Sequence, residues 1–504
     1  MMKAPNLKTL SKKIITVDGL EFKDLNDNGR LDPYEDWRLP SEERARNLVE
    51  LMNLDEKVGM LLINQLNMGK AKTEVDNTQI LDEEFLKADG SPMRSVDKYP
   101  TTETIERLKM RHFILRDNMP HELIIEWINK LNEVAEATRL GIPVIVASNS
   151  RNEFNSVLAA KDIDELGFSL YPGTLGIAAA VQGDLDNGNE YKVIDDFVKF
   201  SRNEWLQSGL RKGYMYMADV VTDPRWQRTD GTFGEDPELI SQLIKRLIIG
   251  FQGEELSDDS ISLTIKHFPG GGARENGFDP HYKEGKWNIY RTEGSLENYH
   301  LPTFVEAAKH NPSSIMPYYS APSIEKSHFQ EFDGELIPFE EVGMAFSHYI
   351  LDTLLRGKLG FKGYINSDTG IIGKMAWGVE SLSKAGRFAK AINAGTDLIS
   401  GTNEVAELKK AVEKGYISMK RLDQANERLL MEMFDLGLFD EKTYIEANQE
   451  QNEEVKQQAK EAAYNAHLKS VTLLKNQSVL PIPNQKVLLK PLEEMKNKLI
   501  CTKS

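Results

Sequence analysis

The chain has 504 residues, 40% of them hydrophobic, and a formal charge of −16. That length exceeds one ordinary domain, and a single barrel with insertions and a tail is as economical as two domains. The negative balance argues against nucleic acid or an anionic membrane as the main partner, since either needs a basic face, and a neutral small molecule fits better.

The first twenty residues lack the continuous apolar segment of a secretory signal, so a cytoplasmic location is expected. Residues 1–57 read as an N-terminal extension. Within it, Asp24-Leu25-Asn26-Asp27-Asn28-Gly29-Arg30-Leu31-Asp32-Pro33-Tyr34-Glu35 fits the calcium-loop pattern D-x-[DN]-x-[DN]-G-x5-E. Asp24, Asn26, Asn28, Asp32 and Glu35 would offer side-chain oxygens and Arg30 its carbonyl, with Gly29 at the sharp turn, which is what a hard cation needs. Asn, Asp and Gly also cluster in metal-free turns, and no long helix precedes the loop. A structural calcium and a plain turn both stay open.

From residue 58 to 442, strand-like runs alternate with helical stretches. The runs are Met60 to Asn64, Pro143 to Ser148, Met215 to Val221, Leu263 to Phe268, Ser314 to Pro317, Gly363 to Asp368 and Asp397 to Ser400. Between them lie amphipathic segments such as Leu239 to Phe251, Phe346 to Arg356 and Leu382 to Asn393. This alternation predicts a parallel α/β sheet. Several runs end in polar clusters, and no phosphate-binding glycine fingerprint follows the first strand, so a (β/α)8 barrel is favoured over an open doubly wound sheet. Polar insertions at Lys70 to Thr102 and Asp279 to Leu301 suit long loops on the catalytic face.

Asp368 ends the run Gly363-Tyr364-Ile365-Asn366-Ser367-Asp368, which places one carboxylate at a strand tip, where barrel enzymes keep their chemistry. The bland alternative is that Asp368 caps a helix starting at Thr369. Beyond the barrel, residues 443–469 turn acidic and Gln-rich, as a solvated linker or helix does. Residues 470–504 end in a Lys-rich stretch that contains the only cysteine, Cys501. Its position excludes a disulfide framework, a cysteine-ligated metal and a thiol nucleophile in the body. No run reaches the ~18 apolar residues of a membrane span.

The words "TDPRWQRTDGTFGEDP" (222–237), "KHFPGGG" (266–272), "IMPYYSAP" (315–322), "GFKGYINSDTG" (360–370) and "SVTLLKNQSVLPI" (470–482) stand in one order along the chain. Together they resemble glycoside hydrolase family 3, the β-glucosidase family. The resemblance implies a barrel followed by only the start of a second α/β sandwich domain at 470–504. It implies no cofactor for catalysis, a β-linked oligosaccharide or β-glycoside as substrate, and Asp368 as nucleophile, although Thr369 stands where the family usually has Trp. Hydrolysis with retention needs a second carboxyl function about 5–5.5 Å away to protonate the leaving oxygen.

By the same resemblance, Lys266, His267 and Arg228 hold the hydroxyls of the sugar, since charged donors at fixed angles orient paired hydroxyls. A salt-bridge network among Arg225, Arg228, Asp230 and Glu235 is the structural alternative. Many relatives place an Asp after the strand 142–148, and this chain has Asn149 there, with Arg151 and Glu153 nearby. Glucose selectivity is therefore open, and a pentose fits as well. Relatives that act on N-acetylglucosamine use an Asp and a His two residues apart after "KHFPG". Asp279-Pro280-His281 occupies that loop, two residues further out than the pattern expects. A carboxylate-paired imidazole can shuttle the proton without a second domain, and a Pro turn with an exposed His is the alternative.

Three readings follow. The first is a retaining exo-β-glycosidase acting through Asp368, and the second a β-N-acetylglucosaminidase acting through Asp279 and His281. The third is a catalytically impaired barrel that binds sugar. The sequence leaves the oligomeric state open.

Overall fold

The computed structural model describes residues 4–66, 68, 99–117, 119–153, 167–446 and 452–478. Eight parallel strands close into a barrel: β1 Leu62–Leu66, β2 His112–Leu115, β3 Ile145–Ser148, β4 Lys212–Gly213, β5 Ser262–Phe268, β6 Ser314–Pro317, β7 Tyr364–Thr369 and β8 Leu398–Ser400. Neighbours in space are neighbours in sequence, and β8 returns to β1 through Ile399 opposite Leu62. The strands are short and buried almost throughout, so they carry runs rather than alternation.

The helices outside the barrel are set by local signals. Asp236 caps the helix Pro237–Gln252, accepting from the Glu238 and Leu239 amides at 2.9 and 3.4 Å, with Pro237 in the first turn. Its buried face runs Ile240, Leu243, Ile244, Leu247, Ile248 and Phe251, the spacing of one helix side. Gly209, at φ +79, ends the helix Lys192–Ser208 in the left-handed conformation before β4.

Two strand expectations need correction. The run Met215 to Val221 is buried but leaves the ladder after Gly213. It touches β5 through Lys266, whose N–H donates to Tyr216 O at 3.0 Å and whose O accepts from Ala218 N at 2.6 Å. Burial makes such a segment read as a strand although little of it pairs. The strand His112–Leu115 was not expected, because Arg111 and His112 interrupt its apolar character. Both are buried, and Arg111 donates to the carbonyls of Ile142, Ile105 and Met110.

The N-terminal extension forms an antiparallel hairpin, Lys13–Val17 with Leu20–Asp24. The helix Ser41–Leu51 follows and packs on Met419–Asp435. The Gln-rich stretch expected to be solvated is instead a docked helix, Glu453–Ser470. Ala459, Ala463 and Ala466 bury its inner stripe against Thr174–Asp186 and Lys192–Ser208. The Lys469 ammonium meets Asp184 at 2.7 Å. Most of the first polar insertion, residues 479–504 and Cys501 lie outside the described residues. No helix among the described residues is long and apolar enough to cross a membrane.

Candidate active site

β7 delivers Asp368 to the barrel mouth, where it lines a cavity of about 560 Å³ together with Arg228, Lys266, His267, His281 and Asn149. The words that are far apart in sequence meet here. Asp368 belongs to the strand and no helix begins at Thr369, so the capping alternative does not hold. The Thr369 amide donates to its Oδ1 at 2.8 Å, while its buried Oδ2 has no hydrogen-bond partner.

His267 is oriented by a residue the sequence reading missed. Asp219 Oδ2 lies 2.7 Å from His267 Nδ1, and Asp219 also accepts from the amides of His267 and Gly271. Arginine can only donate, so Arg228 Nη2, 3.3 Å from His267 Nε2, fixes the neutral tautomer with its proton on Nδ1. Burial, then Arg228, holds the imidazole below its ordinary value. His267 Nε2 sits 3.7 Å from Asp368 Oδ2. The signal for Asp219 was available, because a lone carboxylate inside the apolar run Tyr214 to Val221 must be buried and therefore partnered.

Lys266 donates to Tyr214 O at 2.6 Å. Burial, reinforced by Arg228, brings its ammonium down to about 7 against the pull of Asp368. Arg228 joins none of the expected salt bridges. Arg225 pairs with Asp223 instead, at 2.6 Å, with most of its side chain exposed. Arg228 Nη1 is buried without a partner. Burial opposes its charge, but Tyr318, Asp368, Asp279 and Asp219 together raise its affinity for the proton.

The Asp-Pro-His turn is built as a dyad. His281 Nδ1 is hydrogen-bonded to Asp279 Oδ1, and the His281 amide reaches the same oxygen at 3.1 Å. Asp279 Oδ2 accepts from Trp226 Nε1 at 2.9 Å and lies 3.3 Å from the Tyr318 hydroxyl. Trp226 thus ties the "TDPRW" word to this loop. Burial opposes the charge of Asp279, yet His281, Arg228 and Trp226 hold the carboxyl well below the usual range. His281 is 43% exposed at its side chain, open enough to exchange a proton, and its ring packs edge-on against Tyr319 at 4.8 Å.

Asn149 lines the same cavity and its buried Oδ1 has no partner, as suits a sugar hydroxyl donor. Glu153 lines it too, with burial pushing its carboxyl up to about 8 and its Oε2 unpaired. Tyr214 and Tyr319, which sequence reasoning passed over, complete the wall beside Asp368.

The candidate calcium loop is closed on itself. Asp24 accepts from the Asn28 and Gly29 amides at 3.0 Å, and Glu35 from those of Leu25, Asn26 and Asp32. The side-chain amides of Asn26 and Asn28 donate to Asp32 Oδ2 at 2.6 and 2.7 Å, and the Arg30 amide donates to Asn28 Oδ1. Among the described residues no three carboxylate, histidine or cysteine side chains gather as a metal group. A hard cation would have to replace Asp32 as the partner of the two asparagines.

Residues 54–431 match the model of the glycosyl hydrolase family 3 N-terminal domain. A periplasmic β-glucosidase/β-xylosidase of Dickeya chrysanthemi is 35% identical over 94% of this chain and 71% of its own length. β-Glucosidase C of Emericella nidulans is 34% identical over 88% of this chain and 66% of its own. Among solved structures, the β-glucosidase of Listeria innocua in complex with isofagomine matches at TM-score 0.64 and 22% identity, covering 87% of this chain and 52% of that one. A family 3 β-N-acetylglucosaminidase of Paenibacillus matches at TM-score 0.62 and 20% identity, over 84% and 70%. The two structures share the fold. The chain spans about two-thirds of the length of these curated relatives.

Proposed function

Since the chain belongs to glycosyl hydrolase family 3, we propose that it is a retaining exo-β-glycosidase that removes a terminal non-reducing β-linked sugar through a covalent glycosyl-Asp368 intermediate. The observation that carries this reading is Asp368 itself. One oxygen is fixed by the Thr369 amide and the other is buried and unpaired beside His267, Arg228 and Lys266. A carboxylate so held is aimed for attack on an anomeric carbon, while the cations around it orient the ring hydroxyls.

In the first half of the reaction Asp368 Oδ2 bonds to the anomeric carbon as the bond to the leaving oxygen breaks. In the second half water takes the sugar from Asp368. The leaving oxygen needs a proton, and the dyad supplies one. With Asp279 on Nδ1, protonated His281 would donate from Nε2 and then, neutral, accept a proton from the attacking water. Labelling by a 2-fluoro glycoside tests the nucleophile, with Asp368 as the expected adduct. Any other labelled carboxylate overturns the assignment.

The assembled dyad also favours a second reading, hydrolysis of β-N-acetylglucosaminides. Parallel assays on chromogenic glucoside, xyloside and N-acetylglucosaminide separate the two. Sugar binding to a chain that turns over none of the three would identify an impaired barrel.

A further inference from the structure

A second cavity, of about 400 Å³, shares no lining residue with the one around Asp368. Its charged lining is Arg225, Arg274 and Arg291 against a single carboxylate, Asp223, with the buried imidazole of His300 beside them. Arg225 occupies that carboxylate from both sides, Nε at 2.8 Å and Nη2 at 2.6 Å. No ion pair reaches Arg274 or Arg291 among the described residues, although the protein as a whole is strongly acidic.

Arg274 is only 2% exposed. Its Nη2 donates to Trp287 O at 2.6 Å and to Asn288 Oδ1, and its guanidinium lies 5.4 Å from the centre of the Tyr318 ring. Its Nε and Nη1 find no acceptor, and Nδ1 of buried His300 has no hydrogen-bond partner. A buried guanidinium with unmet donors is costly, and the cost falls when an anion supplies both the charge and the acceptors. Three guanidinium groups against one carboxylate leave about two positive charges unbalanced, and a tetrahedral oxyanion offers several acceptors at once.

We propose that this pocket binds a small oxyanion, a phosphate or sulfate group, free or as an ester, held by Arg274 and Arg291. The pocket also bears on the segment after His267. The Arg274 amide donates to Gly272 O at 2.8 Å, and Asn288, which Arg274 grips, donates to Gly270 O at 3.1 Å. The inference does not depend on the catalytic reading.

Melting of the full chain in inorganic phosphate against chloride at equal ionic strength tests it. Phosphate should raise the melting temperature saturably, since a ligand of the folded state stabilises by mass action. Arg291 is exposed, so R291E should fold normally and turn over glycosides as the parent does. It should raise the half-saturating phosphate concentration by about tenfold or more. Glucose 6-phosphate acting below the concentration of inorganic phosphate would assign an ester ligand, and the reverse order the free anion. No saturable response to either, or a response that R291E leaves intact, overturns the proposal.

Discussion

Two lysine and carboxylate clusters stand in the same barrel and are completed in opposite ways. In the interior, Lys212 Nζ meets Glu432 Oε1 at 2.9 Å and lies near Ser313 and Ser314, while Glu432 Oε2 accepts from the Tyr364 hydroxyl at 2.8 Å. Close by, Asp397 takes Arg356, Arg421 and Arg428 at 2.8 to 3.0 Å. At the mouth, Asp368 Oδ2, Arg228 Nη1, Asn149 Oδ1 and Glu153 Oε2 are buried with no partner. The matched carboxylates serve the fold, whereas the four unmatched groups at the mouth all line the cavity around Asp368, where a ligand can meet them.

The largest contrast comes from cutting each cluster once. Asp368→Ala should lower turnover roughly 10⁴-fold or more, because the covalent step disappears. It should leave the melting temperature close to the parent's, since Oδ2 has no hydrogen-bond partner and Oδ1 loses a single one, the Thr369 amide. Glu432→Ala strands the Lys212 charge in the interior and should cost about 3–5 kcal/mol of stability by denaturant titration. Equal destabilisation by the two substitutions would break the comparison.

Next is the proton donor. His281→Ala should slow glycosides with poor leaving groups roughly 10²–10⁴-fold and spare activated aryl glycosides, which need no protonation. Equal losses on both substrate classes would remove His281 from the role.

Most of this site was legible along the chain. Asp368, Lys266, His267 and Arg228 stand in motifs, and the structure brings all four to one cavity. Asp279 and His281 were legible as a pair but not as a built dyad, because Trp226 and Tyr318 position them from two other words. Asp219 was hidden inside an apolar run, and the strand His112–Leu115 behind charged neighbours. In both places a tertiary contact satisfies a polar group that local pattern counts against burial. The helix Glu453–Ser470 misled for the converse reason, since an alanine stripe buries a face that its composition presents as polar.

A smaller effect should follow pH. Lys266, brought down to about 7, is charged below that pH and neutral above it. If its charge orients the sugar, KM for an unactivated glycoside should rise roughly ten- to hundredfold as pH climbs through that value, the worth of a charge-assisted hydrogen bond. Lys266→Met should have a high KM that no longer changes over this window. A KM that rises in the variant as in the parent would assign the titration to another group.

The smallest effect belongs to the Asp24–Glu35 loop, where the comparison itself can be broken. The side-chain oxygens of this loop are engaged by its own amides, so like the interior carboxylates it serves the fold. Its order of oxygens is nevertheless that of a calcium loop, and we propose a structural calcium there. Binding must turn the Asn26 and Asn28 side chains away from Asp32 and free Glu35 from three amides, which offsets most of the gain. Saturating calcium should therefore raise the melting temperature by only roughly 1–4 °C, chelation should reverse it, and Asp24→Ala should abolish the response. A melting curve indifferent to both calcium and chelator would leave the loop a hydrogen-bonded turn, matched within itself as the interior carboxylates are.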